Sequence, residues 1–260
     1  MHFRVSVLVL GATLLFSACS SGPKYITNKP DDSYDLQAMS LAEEDLPAGY
    51  LQQDSRIFNN QDWAAAIAAP GDDPQTKQKQ LDAQGRISGA ATIFSWDNPG
   101  EHLGHPYQIA TQSTLYATAT DASKALKLLC DLPIDPTAPL TDFKVTSLGD
   151  EATGFMSTQA VQGFGDSIDT AVCFRTGRIV HSVVQSGLDG TQDVALDVRL
   201  AQKMLARVDD ALNGRTTPST ATRGGSAPAP TSSASPVPSA SPASSPATTP
   251  APTASPKAGN

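Results

Sequence analysis

The residues able to do chemistry are few, and most stand where another use explains them. His102 and His105, three apart in Glu101-His-Leu-Gly-His105, could share a metal ion on a helix. Gly100, Gly104 and Pro106 place them in a loop instead, and the sequence nominates no further ligands, so no metal site is expected. His181 lies in a strand between Val180 and Val183, at a pleat position that either faces solvent or makes a hydrogen bond. Gly149-Asp150-Glu151 offers adjacent carboxylates, a pairing that can split two pKa values. Adjacent side chains in a turn point apart, however, and an Asp there usually bonds its own backbone, so turn chemistry is expected. Asp166 and Asp169, behind Gly163-Phe-Gly, lack the spacing of a calcium loop. There is no Gly-x-Ser-x-Gly elbow and no glycine loop for phosphate. A Ser/His/Asp set would require a free choice among many serines. No catalytic residue and no cofactor are assigned. Trp63, Trp96, Tyr107 and Tyr116 read as core or rim packing; Trp96, beside the polar loop 97–106, is the candidate ligand contact.

The chain has three cysteines. Cys130 and Cys173 are either a disulfide, which an oxidising compartment would allow, or two separate buried thiols. Cys19 reads differently. Arg4 gives a positive start, Val5 to Phe16 is an apolar run of twelve, and Ser17-Ala18 precede the Cys. A bilayer-spanning helix needs roughly 20 apolar residues, so this run fits the core of a cleavable export signal over 1–18. The segment resembles the bacterial lipobox, with Phe16 where Leu is usual. The resemblance implies diacylglyceryl attachment at Cys19, a palmitate-class anchor in place of a membrane span.

Composition then divides the rest. Residues 19–34 are polar and read as a flexible linker. Residues 35–213 carry nearly all the apolar side chains, enough for one globular domain. They hold 12 Lys or Arg against 24 Asp or Glu, a net −12 that excludes nucleic acid as a partner. Residues 214–260 are almost wholly Pro, Ala, Ser and Thr, with ten of the chain's 20 prolines, and are expected to be disordered with polyproline II bias. This tail is expected to leave from the end of the domain opposite the anchor.

Positioning elements follow from periodicity. Leu46 to Tyr50 is a turn into an extended segment; Trp63–Ile67 is a short helix capped by Asp62; Pro74–Ala83 is a second, with Gly85 as its stop. Arg86–Ser95 and Tyr107–Ala117 form a hairpin. Asp121–Cys130 is a helix, Phe143–Ser147 a strand, and Thr153–Gln162 its antiparallel partner. Ile168–Arg175 and Arg178–Ser186 form the clearest hairpin, with Val172 and Phe174 on one side and Ala171 and Cys173 on the other. In the last helix, capped by Thr191 or Asp189, Val194, Val198, Ala201, Leu205, Val208 and Leu212 recur every three or four residues. Leu196, Leu200, Met204 and Ala211 widen that stripe into a face suited to covering a sheet. The fold class is therefore α+β, a mainly antiparallel sheet covered by helices.

Gly85-Arg86-Ile87, Leu148-Gly-Asp-Glu-Ala152, the run Val172 to Val180 and the terminal helix from Asp193 resemble a broad group of envelope lipoproteins and receptor-kinase sensor domains of actinobacterial type. Some of these look like the PsbP-type sheet covered by helices. The resemblance implies an extracytoplasmic role without shared catalytic residues. The expected function is a membrane-anchored, non-enzymatic module of the cell envelope that binds or senses a small-molecule, lipid or protein ligand. The alternatives are an envelope scaffold or a hydrolase with an unrecognised site. Replacement Cys19→Ser should block palmitate-analogue labelling and release the protein from membranes; a variant that stays membrane-bound would contradict the anchor.

Overall fold

The computed structural model describes residues 25, 27–69, 71–97, 104–132, 138–161 and 165–215. Their order is β1 (Tyr50–Asn59), α1 (Asn60–Ile67), α2 (Pro74–Ala83), β2 (Arg86–Trp96), β3 (Gln108–Tyr116), α3 (Ala119–Lys127), β4 (Leu140–Phe143), β5 (Glu151–Val161), β6 (Gly165–Thr176), β7 (Ile179–Leu188) and α4 (Val194–Leu212). The strands form one seven-stranded antiparallel sheet in the order β1-β2-β3-β7-β6-β5-β4. The fold is thus α+β as the periodicities indicate. No helix among the described residues is long and apolar enough to cross a membrane.

The alternation of side chains along β6 and β7 separates two cores. Val172, Phe174 and Val183 face α4 and pack with Leu200, Ala201 and Met204. Ala171, Cys173 and Val180 face the other way and pack with Ala122, Ala125, Leu126 and Cys130 of α3 and its exit. The stripe α4 buries is Asp197, Leu200, Ala201, Met204 and Val208. The centre of its face is therefore shifted from the Val194-to-Leu212 seam toward the flanking residues, because a sheet is broader than a partner helix and draws in a wider stripe.

Several boundaries differ from the sequence reading, each for a local reason. Asn59, not Asp62, caps α1, its Oδ1 accepting from the Asp62 N–H at 2.9 Å. Asp193 caps α4 through the Leu196 N–H, in place of Thr191 or Asp189. Helix α3 stops at Lys127 because Leu129 and Cys130 take left-handed φ values of 56° and 62°. That turn aims Cys130 under the sheet, where its sulfur lies 2.14 Å from that of Cys173. Strand β4 ends at Phe143, where the expected strand begins. Phe143 and Val145 still pack on the α4-side core, so apolar residues in an irregular segment mimic a strand pattern.

Asp150 and Glu151 do not merely shape a turn. Both reach the Arg175 guanidinium, at 3.4 and 2.9 Å, and Asp150 also accepts the Gly177 N–H at 2.7 Å. Gly149, at φ +61°, lies so close to the Arg175 carbonyl that a Cβ there would collide with it. The start of β5 is thereby fastened to the β6–β7 turn. The N-terminal segment departs further from expectation. Residues 27–34, expected within the flexible linker, are held against the same turn by Arg178, and Lys29 Nζ donates to the Leu212 carbonyl at 2.8 Å. The start of the described chain therefore lies beside the end of α4, not opposite it; the tail beyond residue 215 falls outside the described residues. Replacing Arg175 by Ala removes a guanidinium partner from the nearly buried Asp150 carboxylate and from Glu151. It should cost on the order of 3 kcal/mol in urea unfolding; a loss within error of zero would show the pair to be incidental.

Candidate functional site

The site is assembled where four elements end together. Tyr50 opens β1, Trp96 closes β2, His105 and Pro106 lead into β3, and the first turn of α4 lies across the end of β7. The register pairs Tyr50 with Trp96, so their rings meet edge to face at 5.0 Å. His105 is exposed and stacks on Trp96 at 4.8 Å. Tyr50 Oη donates to the Pro106 carbonyl at 2.6 Å, which fixes the entry to β3. Trp96 is half-buried, packed on the core from below and open toward His105 from above.

Close enough to Tyr50 to act on its phenol lies Asp197, wholly buried at 0% exposure. Gln185 of β7 faces it: its Nε2 donates to the Asp193 carbonyl at 3.5 Å, and its own Oε1 has no partner. Burial, reinforced by the charge of Asp193 and opposed by the Gln185 amide, pushes the Asp197 carboxyl up to about 9. The acid is therefore uncharged at neutral pH. Burial also pushes the Tyr50 phenol up to about 12, with the proximity of Asp197 adding to the effect. A neutral carboxyl can donate and accept at once, and the unpartnered Gln185 oxygen beside it can only accept. Asp197 and Gln185 are themselves closed to solvent, so the surface this corner offers a ligand is the Trp96–His105 stack, suited to a flat or apolar body.

The remaining candidates are distributed differently. Cys19, Glu101, His102 and the loop 98–103 beside Trp96 lie outside the described residues, as do Gly163 and Phe164. Asp166 and Asp169 sit on β6 without convergent ligands, and among the described residues no group of His, Cys, Asp or Glu could hold a metal ion. Trp63 stacks on Phe58 at 4.6 Å with the Arg86 guanidinium over its ring, and Tyr116 is core. Tyr107 is exposed. Of the two readings for His181, the solvent-facing one is overturned. The ring is fully buried, with Ser113 Oγ at 2.9 Å from Nδ1 and Thr176 Oγ1 at 2.8 Å from Nε2. Burial drives its pKa down to about 3, so it is neutral. This Ser–His pair has the spacing of a nucleophile and its base, but Ser113 and His181 are both at 0% exposure and no substrate can meet them.

Sequence reasoning missed Asp197 and Gln185. The signal was present: position 197 falls three and seven residues before Leu200 and Met204 on the buried stripe, and Gln185 continues the alternation of His181 and Val183.

No family model matches the chain, and no curated protein matches it. Among solved structures it is similar to the extracellular domain of PknH from Mycobacterium tuberculosis. The two are 12% identical, the match covers 74% of this chain and 100% of that domain, and the TM-score is 0.42. A likeness of that degree carries no argument for function.

The two displaced titrations set a pH profile. Asp197 is raised from 3.8 to about 9, so its unfolded form ionises first and stability falls as pH rises through that window. His181 is lowered from 6.5 to about 3, so stability falls as pH drops from 6.5 toward 3. Between about pH 4 and 6.5 the two slopes cancel, and above 6.5 the Asp197 slope stands alone, at up to about 1.4 kcal/mol per pH unit. Replacement Asp197→Asn should therefore make the protein more stable than wild type at pH 8 and flatten its stability from pH 6.5 to 9. An unchanged slope in thermal or urea unfolding would contradict this assignment.

Proposed function

We propose that the chain is a lipid-anchored, extracytoplasmic and non-enzymatic binding module whose ligand contact is the Trp96–His105 corner. The observation that carries the reading is the exposed His105 imidazole stacked on the half-buried Trp96 indole. Burial of the Asp197 carboxyl beside Gln185 at the same end of the sheet costs stability, and groups of that kind concentrate where a protein binds or reacts. An exposed imidazole stacked on a half-buried indole supplies the surface a flat ligand would use. Catalysis is disfavoured by the burial of Ser113 and His181, which seals the one nucleophile–base pair identified among the described residues. A Cys130–Cys173 disulfide is in keeping with the oxidising compartment that the export signal at 1–18 and the anchor at Cys19 imply.

The reading is tested by native mass spectrometry of the full lipidated chain extracted from its own envelope. The expected result is a stoichiometric small-molecule adduct that is lost from both Trp96→Phe and His105→Ala variants. Bare protein, or an adduct indifferent to both substitutions, would overturn the assignment of this corner.

A further inference from the structure

We infer that the β6–β7 turn end of the domain is its membrane-facing surface, held there by a clasp that the N-terminal segment closes on Arg178. The inference rests on the anchor at Cys19 assigned above, and it adds the orientation that anchor enforces.

The clasp is built from five contacts to one side chain and its backbone. The Arg178 N–H donates to Thr27 Oγ1 at 2.7 Å, Nε to the Thr27 carbonyl at 3.0 Å, and Nη2 to the Lys29 carbonyl at 2.8 Å. Asp31 pairs with Nη1 at 2.7 Å, and the Tyr34 ring lies 5.1 Å from the guanidinium. Arg178 Nη1 also donates to the Tyr116 carbonyl at 3.1 Å, tying the segment to the end of β3. Gly177, at φ +58°, packs so closely that a Cβ would collide with Thr27. Tyr25, just before the clasp, is buried.

These contacts shorten the tether. A linker free as far as Tyr34 would place fifteen residues between Cys19 and the domain, with a contour of about 50 Å. With Tyr25 already buried, five residues remain between it and Cys19, a contour of about 17 Å. The attachment point is also at one end of the sheet. Arg178 sits where β7 begins, and the Trp96 corner sits where β7 ends, ten residues away and about 33 Å along the strand. Helix α4 runs in parallel with this span. Its C-terminal carbonyl at Leu212 meets Lys29, while its first turn carries Asp197. A tether shorter than the domain therefore brings the Arg178 end to the bilayer and leaves the Trp96 corner facing outward. The domain's net charge of −12 disfavours lying flat on an anionic leaflet.

The two tryptophans report on the two ends. Trp63 lies beside Arg86, which pairs with Tyr116 at the Arg178 end; Trp96 is at the other. The experiment uses full-length lipidated protein in phosphatidylcholine/phosphatidylglycerol vesicles carrying dansyl-phosphatidylethanolamine. Energy transfer should be several-fold stronger from Trp63, read in Trp96→Phe, than from Trp96, read in Trp63→Phe. Arg178→Ala, combined with each, should open the clasp and abolish most of the difference. Should a Trp substitution fail to fold, broadening of wild-type amides by a headgroup nitroxide gives the same reading, strong at Gly177 and Arg178 and weak at His105. Equal signals at both ends, or a stronger one at Trp96, would overturn the orientation. Failure of the anchor itself is recognised separately: Cys19→Ser would then remain on membranes, and the mature N-terminal peptide would carry no lipid.

Discussion

The sheet face beneath α4 must bury a row of polar side chains, and the rest of the structure is arranged around how far that row can be satisfied. Thr92, Thr111, Ser113, His181 and Gln185 all lie on this face at or below 1% exposure. In the middle of the row the demand is met: Ser113, His181 and Thr176 form a closed chain in which one ring nitrogen donates and the other accepts. Thr92 is bonded by Gln37 at 2.7 Å, which fastens the N-terminal segment to the sheet. At the Trp96 end the demand is not met. Gln185 Oε1 has no partner there, and Asp197 faces the Gln185 amide. A buried polar group without a partner costs roughly 1–3 kcal/mol, and other such atoms lie elsewhere in the domain, at Gln37 Oε1 beside Thr92 and at Arg175 Nε.

The domain has two unlike ends. At the Arg178 end several segments are fastened together: Asp150 and Glu151 to Arg175, Thr27 and Asp31 to Arg178, and Lys29 to the end of α4. At the other end aromatic stacking and one tyrosine hydrogen bond close the surface near an uncharged acid. Rigid fastening on one side and unsatisfied polarity on the other is the arrangement expected of a domain held at one end and presented at the other.

Much of the fold was legible because its strongest signals are local. The alternation through Ile168 to Arg175 and from Arg178 onward fixes both faces of the central hairpin, and the spacing of Leu200, Ala201, Met204 and Val208 fixes the covering helix. Boundaries were less legible where one polar residue had to be chosen over its neighbour, as with Asn59 against Asp62 or Asp193 against Thr191. Every such candidate is chemically able to cap, and only backbone geometry selects among them. The Arg178 clasp was hidden because Thr27, Lys29 and Asp31 are separated from it by about 150 residues, and polar composition alone reads as linker. Asp197 was hidden for another reason. A single carboxylate on an apolar stripe is ordinarily a tolerated edge position, and its burial is decided by the breadth of the sheet beneath α4.

The most direct test of an uncharged acid at the core of the Trp96 corner is a 13C NMR titration of the Asp197 side-chain carboxyl in the intact folded chain. The carboxyl should remain protonated through neutral pH and titrate near 9. A transition near 4, the range of a solvated aspartate, would mean that the carboxyl is hydrated or paired, and the support it lends a binding site at Trp96 would fall with it.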